Sequence, residues 1–295
     1  MGILQKCITS DGLVMAAFID STDIAREARR LHACTPVAAA ALGRLLTGVS
    51  LMGNKLKEPG ASITVRANGG GKLGSVIAVS DYMGNVRGYA QEPGLLQMPD
   101  ANGNLDIAGA VGKDGFLTVV KDYGSGQPYC AQIPLVSGEI AEDITSYYAT
   151  SEQIPTVLAL SVHYDEMWKD IDKAGGLLIQ LMPAADDREA EKIEAAMEKL
   201  PPISRMMLDG LNPQDILRKA LDGFEVEFFD TEQVFYRCDC SLDRVKRALL
   251  TMGKDELRKI ADEDGCARVE CHFCDKVYVL SKDELEELIA QKPEE

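Results

Sequence analysis

Histidine is scarce in this chain, with three residues in 295: His32, His163 and His272. Ser-His-Asp and Cys-His constellations need a histidine partnered with a nucleophile, so hydrolase chemistry has little to work with. His32 closes a predicted helix and His163 sits on a predicted strand, and both positions suit structural roles. Basic charge is also short. Against 47 Asp and Glu stand 31 Lys and Arg, for a formal net charge of −16. That balance disfavours a sequence-independent grip on a phosphate backbone, and nucleic acid is not an expected partner. No stretch reaches the roughly 18 continuous apolar residues that cross a bilayer. Met1 to Asp23 lacks a basic start followed by an apolar run and a cleavage site. No membrane partner is expected, and the cytoplasm is the expected location.

A nucleotide loop is missing too, despite one match on paper. Gly69-Gly70-Gly71-Lys72-Leu73-Gly74 has the spacing G-x-G-x-x-G. The dinucleotide fingerprint requires a helix after it, whereas Ser75-Val76-Ile77-Ala78-Val79 alternates and is β-branched. Nor does a Ser or Thr follow Lys72, as a phosphate-cradling loop would need. A hairpin turn is the expectation.

What the chain does have is cysteine, eight in all. Four form a C-x-C and a C-x-x-C pair, Cys238-Asp239-Cys240 and Cys271-His272-Phe273-Cys274. In a reducing compartment such pairs are metal ligands more often than structural disulfides. Zn²⁺ takes four tetrahedral thiolates in a closed site, and two short-spaced pairs brought together by the intervening segment supply them. The metal expected is one Zn²⁺. His272 lies between two ligands and could replace a thiolate, giving Cys₃His, and Cys266 could serve as an alternative ligand or a mispairing thiol. Cys7, Cys34 and Cys130 are scattered in apolar or helical contexts and read as buried, inert thiols. The same short spacing makes each pair a ready disulfide partner, so a site that is metal-bound when reduced is also a candidate redox switch. Two rivals remain, a constitutive zinc-stabilised binding module and a thiol oxidoreductase. The oxidoreductase is disfavoured because Cys271 to Cys274 falls on a predicted hairpin turn, away from any helix start that would lower a thiol pKa.

Periodicity predicts an α+β fold. Residues 1–183 read as an N-terminal domain of mainly antiparallel sheet with helices: two helices over Asp23 to Leu56, a meander over Ser62 to Tyr89, strands at 116–121, 129–134, 157–164 and 176–182, and a helix over 139–149. Residues 184–231 read as a helical linker, with 12 acidic against 6 basic residues and apolar positions at helical spacing. Pro201-Pro202 breaks the linker, and Asn212-Pro213 starts a new helix with an Asn cap and a first-turn proline. Isolated helices this short are marginal in water and need something to pack on. Residues 232–295 read as a small C-terminal zinc-binding domain. In it Ser241 caps a helix, a hairpin over 267–280 presents the second cysteine pair, and Ser281-Lys282-Asp283-Glu284 has capping-box spacing. About 60 residues bury little apolar surface alone, so a metal staple is physically expected.

With its cysteine pairs in place, the chain resembles the bacterial 33-kilodalton redox-regulated heat-shock chaperones along nearly its whole length. Further residues that carry the likeness are Leu45-Leu46-Thr47-Gly48, Gly84-Asn85-Val86-Arg87-Gly88-Tyr89, Tyr147-Tyr148-Ala149-Thr150-Ser151-Glu152-Gln153-Ile154-Pro155-Thr156 and Ala174-Gly175-Gly176-Leu177-Leu178. Tyr129-Cys130-Ala131 stands where that family usually has Tyr-Gln-Gly. The resemblance implies an ATP-independent holdase that is not an enzyme, with Cys238, Cys240, Cys271 and Cys274 as zinc ligands. It implies disulfides Cys238–Cys240 and Cys271–Cys274 on activation, with zinc release, homodimer formation and binding of unfolding or oxidatively damaged proteins.

Overall fold

In the computed structural model, which describes residues 1–97 and 104–291, two alternating apolar segments open the chain as an antiparallel pair. They are β1 (Gly2–Thr9) and β2 (Val14–Asp20), both additions to the strands expected from the sequence. Helices α1 (Thr22–Leu31) and α2 (Pro36–Gly53) follow, the second opened by a first-turn proline whose missing N–H would have had no helical partner. The expected meander is β3 (Ser62–Gly70), β4 (Val76–Asp81) and β5 (Val86–Ala90). Beyond it come the short α3 (Ile107–Val111), β6 (Gly112–Asp122) and β7 (Tyr129–Pro134). Helix α4 (Ala141–Tyr147) runs into a π turn at Tyr148–Glu152, before β8 (Thr156–Tyr164) and β9 (Ile171–Leu181). The Gly69–Gly74 stretch is the end of β3 and the turn into β4. Its glycines are there for close backbone approach, since a Cβ on Gly69 or Gly71 would run into the carbonyl oxygens of Gly112 or Ala110.

The linker forms α5 (Asp187–Lys199), α6 (Ile203–Leu208) and α7 (Pro213–Ala220), followed by β10 (Val226–Phe228) and β11 (Glu232–Val234). Asn212 caps α7 as expected, its side-chain oxygen accepting the Asp215 N–H at 3.0 Å. Both β10 and β11 pair with β1, so residues 232–237, expected with the C-terminal module, belong to the first of two compact units, Met1–Arg237 and Cys238–Glu295.

Two antiparallel sheets make up the first unit, with strand orders β5-β4-β3-β6-β7 and β10-β1-β2-β9-β8, β11 pairing with β1 as well. Helix α2 packs on β3, β4 and β5 of one sheet and on β8 and β9 of the other. An all-round apolar helix belongs in such a place. By length and composition α2 could cross a membrane, yet 89% of it is buried in this core. The second sheet has two faces because side chains alternate along a strand. Leu4, Ile19, Ala174 and Leu178 point to the α2 side, while Cys7, Val14, Ala16, Phe18, Leu177 and Ile179 point the other way. That other face is covered by the linker, through Ile193 of α5, Ile203, Met206 and Met207 of α6, and Ile216, Leu217 and Ala220 of α7.

The second unit holds α8 (Leu242–Leu249), α9 (Lys254–Lys259) continuing into a π turn at Ile260–Asp264, the hairpin β12 (Cys266–Glu270) and β13 (Val277–Ser281), and α10 (Lys282–Gln291). Ser241 caps α8 by accepting the Arg244 N–H at 3.2 Å. The capping box of α10 is present: Glu284 Oε2 accepts the Ser281 N–H at 2.9 Å, and Ser281 Oγ accepts the Glu284 N–H at 3.4 Å. The apolar core is small, built on Leu249, Leu257, Leu280, Leu285 and Leu288.

Candidate metal centre

The C-x-C pair sits on the segment leading into α8, where an ion pair between Arg244 Nη1 and Asp239 at 2.6 Å ties the residue between the two cysteines to the first turn of the helix. The C-x-x-C pair occupies the turn of the β12–β13 hairpin. There the Cys271 carbonyl accepts N–H groups from Cys274 at 3.2 Å and Asp275 at 2.8 Å, and the Cys271 N–H donates to the Lys276 carbonyl at 3.0 Å. Asp275 closes the turn in the left-handed region with φ 56°, which a short polar side chain tolerates.

These two local structures bring four sulfurs together. All lie within 4.8 Å of one another, each on a half-buried residue, with Cys238 Sγ 3.7 Å from Cys271 Sγ and Cys240 Sγ 3.5 Å from Cys274 Sγ. Four thiolates at about 2.3 Å from a tetrahedral Zn²⁺ would stand about 3.8 Å apart. The donor set and its spacing therefore fit zinc. Among the described residues this is the one cluster of metal-binding type. Cys266 is exposed at the start of β12, and neither it nor His272 is among the four clustered residues. The sulfur spacing does not itself select a disulfide pairing, because the contacts at 3.5 and 3.7 Å run between the two pairs.

Burial and hydrogen bonding push individual thiols of the cluster in different directions. Burial pushes the Cys238 thiol far above its ordinary value, with the neighbouring thiols adding to the effect, and burial likewise raises Cys274. Burial also works against a Cys240 thiolate, but hydrogen bonds from the Tyr278 hydroxyl and the neighbouring thiols outweigh it and hold Cys240 below the usual thiol range. Tyr278 Oη donates to Cys240 Sγ at 3.1 Å. The sequence reading misses this tyrosine. Its signal is the period-2 alternation of β13, which puts Tyr278 on the same inward row as Leu280.

The remaining cysteines are not alike. Cys7 is buried at the linker-covered sheet face, its thiol pushed up to about 11 by burial, and Cys34 is buried in the first unit's core. Cys130, expected to be buried, is exposed. It sits on β7 in the outward row with Gln132 and Pro134, opposite the row that carries Ile133 into the core. His32 Nε2 lies 3.1 Å from the Tyr236 hydroxyl, consistent with a structural role.

Comparison with known proteins agrees along the whole chain. The family model described as Hsp33 protein matches residues 3–281. A 33 kDa chaperonin of Clostridioides difficile is 44% identical over 286 residues, covering 97% of this chain and 98% of the relative. Another, from Clostridium perfringens, is 38% identical over 290 residues, covering 98% and 92%. Among solved structures, the crystal structure of the 33 kDa chaperonin of Thermotoga maritima superposes with a TM-score of 0.88 at 35% identity, covering 98% of this chain and 97% of that one. The α+β fold read from the sequence and the two-pair cysteine cluster are thus set within a known family, and this chain belongs to the Hsp33 family of chaperones.

Proposed function

We propose that the chain is a redox-regulated, ATP-independent holdase of the cytoplasm, inactive when reduced and zinc-bound, and that it is not an enzyme. The observation that carries this reading is the four-thiol cluster, whose donors fit one Zn²⁺ and whose pairs can instead form disulfides. Cys238, Cys240, Cys271 and Cys274 are the ligands. Bound zinc supplies the cross-link between the α8 lead-in and the hairpin, and in zinc-finger peptides such a site contributes about 10 to 16 kcal/mol. That exceeds or equals the whole net stability of most domains, about 5 to 15 kcal/mol. A core as small as that of the second unit does not hold without it.

Oxidation forms the disulfides Cys238–Cys240 and Cys271–Cys274. A disulfide sulfur has lost the thiolate charge that ligates, so the metal leaves and the module unfolds. The linker, 184–231, runs through β10 and β11 into Cys238 and has little stability of its own. Its release uncovers two apolar surfaces at once. One is the helical stripe with Ile193, Met206, Met207, Ile216 and Leu217, and the other is the sheet face with Val14, Phe18, Leu177 and Ile179. Unbranched methionines adapt to irregular partners, and acidic charge keeps a complex soluble. The clients are unfolding or oxidatively damaged proteins, bound by an activated homodimer.

Light scattering from an aggregating client tests the reading. The protein is added either zinc-loaded and reduced or pre-oxidised with zinc removed. Suppression by the oxidised form alone is expected. Equal suppression by both forms would instead make this a constitutive zinc-stabilised binder.

A further inference from the structure

Each pair of sulfurs in the cluster has hydrogen-bond donors around it, but they differ in kind. Cys238 accepts from the backbone N–H of Cys240, and Cys274 from the backbone N–H of Lys276. Cys240 accepts from a side chain, the Tyr278 hydroxyl at 3.1 Å. The phenol is well placed to stay there. Tyr278 is 8% exposed, its strand position is fixed by pairing with Val269, and Lys276 Nζ stands 5.0 Å from its ring centroid. Leu280, two residues on, anchors the same row in the small core.

We infer that Tyr278 is a positioning residue that shields Cys240 from oxidants by holding its hydroxyl on the Cys240 sulfur. The inference rests on the zinc-thiolate reading above. A thiolate attacks peroxide with a sulfur lone pair. The O–O bond breaks, hydroxide leaves, and a sulfenic acid forms. A second thiolate then attacks that sulfur and expels hydroxide, so that two thiols and one hydrogen peroxide give one disulfide and two waters. A hydrogen bond to an ionised acceptor is stronger than a neutral one, and it occupies the electron density the attack requires. Partners of this kind, one shell beyond the ligands, are known to set the properties of metal-bound groups. Cys240 is therefore the sulfur whose first oxidation step a side chain retards, and Tyr278→Phe removes the hydroxyl while keeping the ring that packs.

The test uses the full zinc-loaded chain, substoichiometric hydrogen peroxide and a 1,3-dione that traps sulfenic acids, with the trapped share at each cysteine read by mass spectrometry. In Tyr278→Phe the share at Cys240 is expected to rise about two- to tenfold, the rate equivalent of a net hydrogen bond of about 0.5 to 1.4 kcal/mol. Zinc release, followed with a chromogenic chelator, should quicken in step. A Cys240 share equal to wild type would overturn the inference, as would an equal rise at all four sulfurs, which is the signature of a loosened module. Replacing Tyr278 with 3-fluorotyrosine, a stronger donor of the same shape, should lower the Cys240 share, and no change there would count against the inference even if Tyr278→Phe failed to fold. A wild-type chain that binds no zinc would instead remove the reading beneath it.

Discussion

At the scale of single residues, the candidate site depends on protons as much as on sulfur. Zinc binds thiolates, so each thiol that must ionise makes apparent affinity rise with pH. Burial holds Cys238 and Cys274 above the usual thiol range, so both carry protons at neutral pH that the proposed zinc would displace. Apparent zinc affinity should therefore climb as pH rises from about 6 to about 8, by about two decades per pH unit, one for each proton displaced. A competing chelator titrated across that range measures the slope, and a flat profile would exclude these thiols as ligands. Cys238→Ser removes one of the proposed ligands. It should weaken zinc binding by at least about a hundredfold, since losing even an outer-shell partner costs 10 to 100-fold, and raise anti-aggregation activity without oxidant. Full zinc affinity in that variant would contradict the ligand assignment. The ligand spacing is legible in the sequence because C-x-C and C-x-x-C are local patterns. The Tyr278 contact is not, because it joins residues 38 positions apart through a hairpin register.

Among the elements, the linker helices carry the proposed switch. Helix α7 spans eight residues and α6 six, far below the length at which isolated helices persist in water. Their order comes from the sheet face beneath them. Leu217, fully buried between α7 and that face, is a direct handle. Leu217→Ala should remove about 2 to 5 kcal/mol from the docked state by lost transfer energy and residual cavity. In the reduced, zinc-loaded protein it should speed proteolysis within 184–231 and raise basal holdase activity while leaving zinc affinity unchanged. Unchanged cleavage in the linker would mean its docking is not what limits release. The Asn212 cap and the first-turn proline of α7 are legible because capping is local chemistry. The strand β1 escapes a pattern search because it mixes Gln5, Lys6 and Thr9 among its apolar residues. Gln5 is buried there only because its side-chain amide bonds Phe229 and Thr231, far along the chain.

For the whole molecule, the two compact units should differ in what sustains them. The first has a helix buried between two sheets, and the second has a handful of leucines and four thiols. Chelating zinc under reducing conditions should abolish one calorimetric transition, with loss of α8–α10 helicity, and leave the transition of the sheets in place. A single transition insensitive to chelation would show that the C-terminal unit needs no metal. The donor set and the fold class are legible along the chain, because cysteine spacing, acidic balance, helix caps and α+β periodicity all depend on composition or on residues a few positions apart. Tertiary structure alone decided that both cysteine pairs meet within 4.8 Å, that the linker's stripe lies on the face of β1, β2 and β9 away from α2, and that β11 belongs to the first unit. Those outcomes turn on strand register and on which surfaces bury each other, and such long-range pairings leave no local period in the sequence to be read.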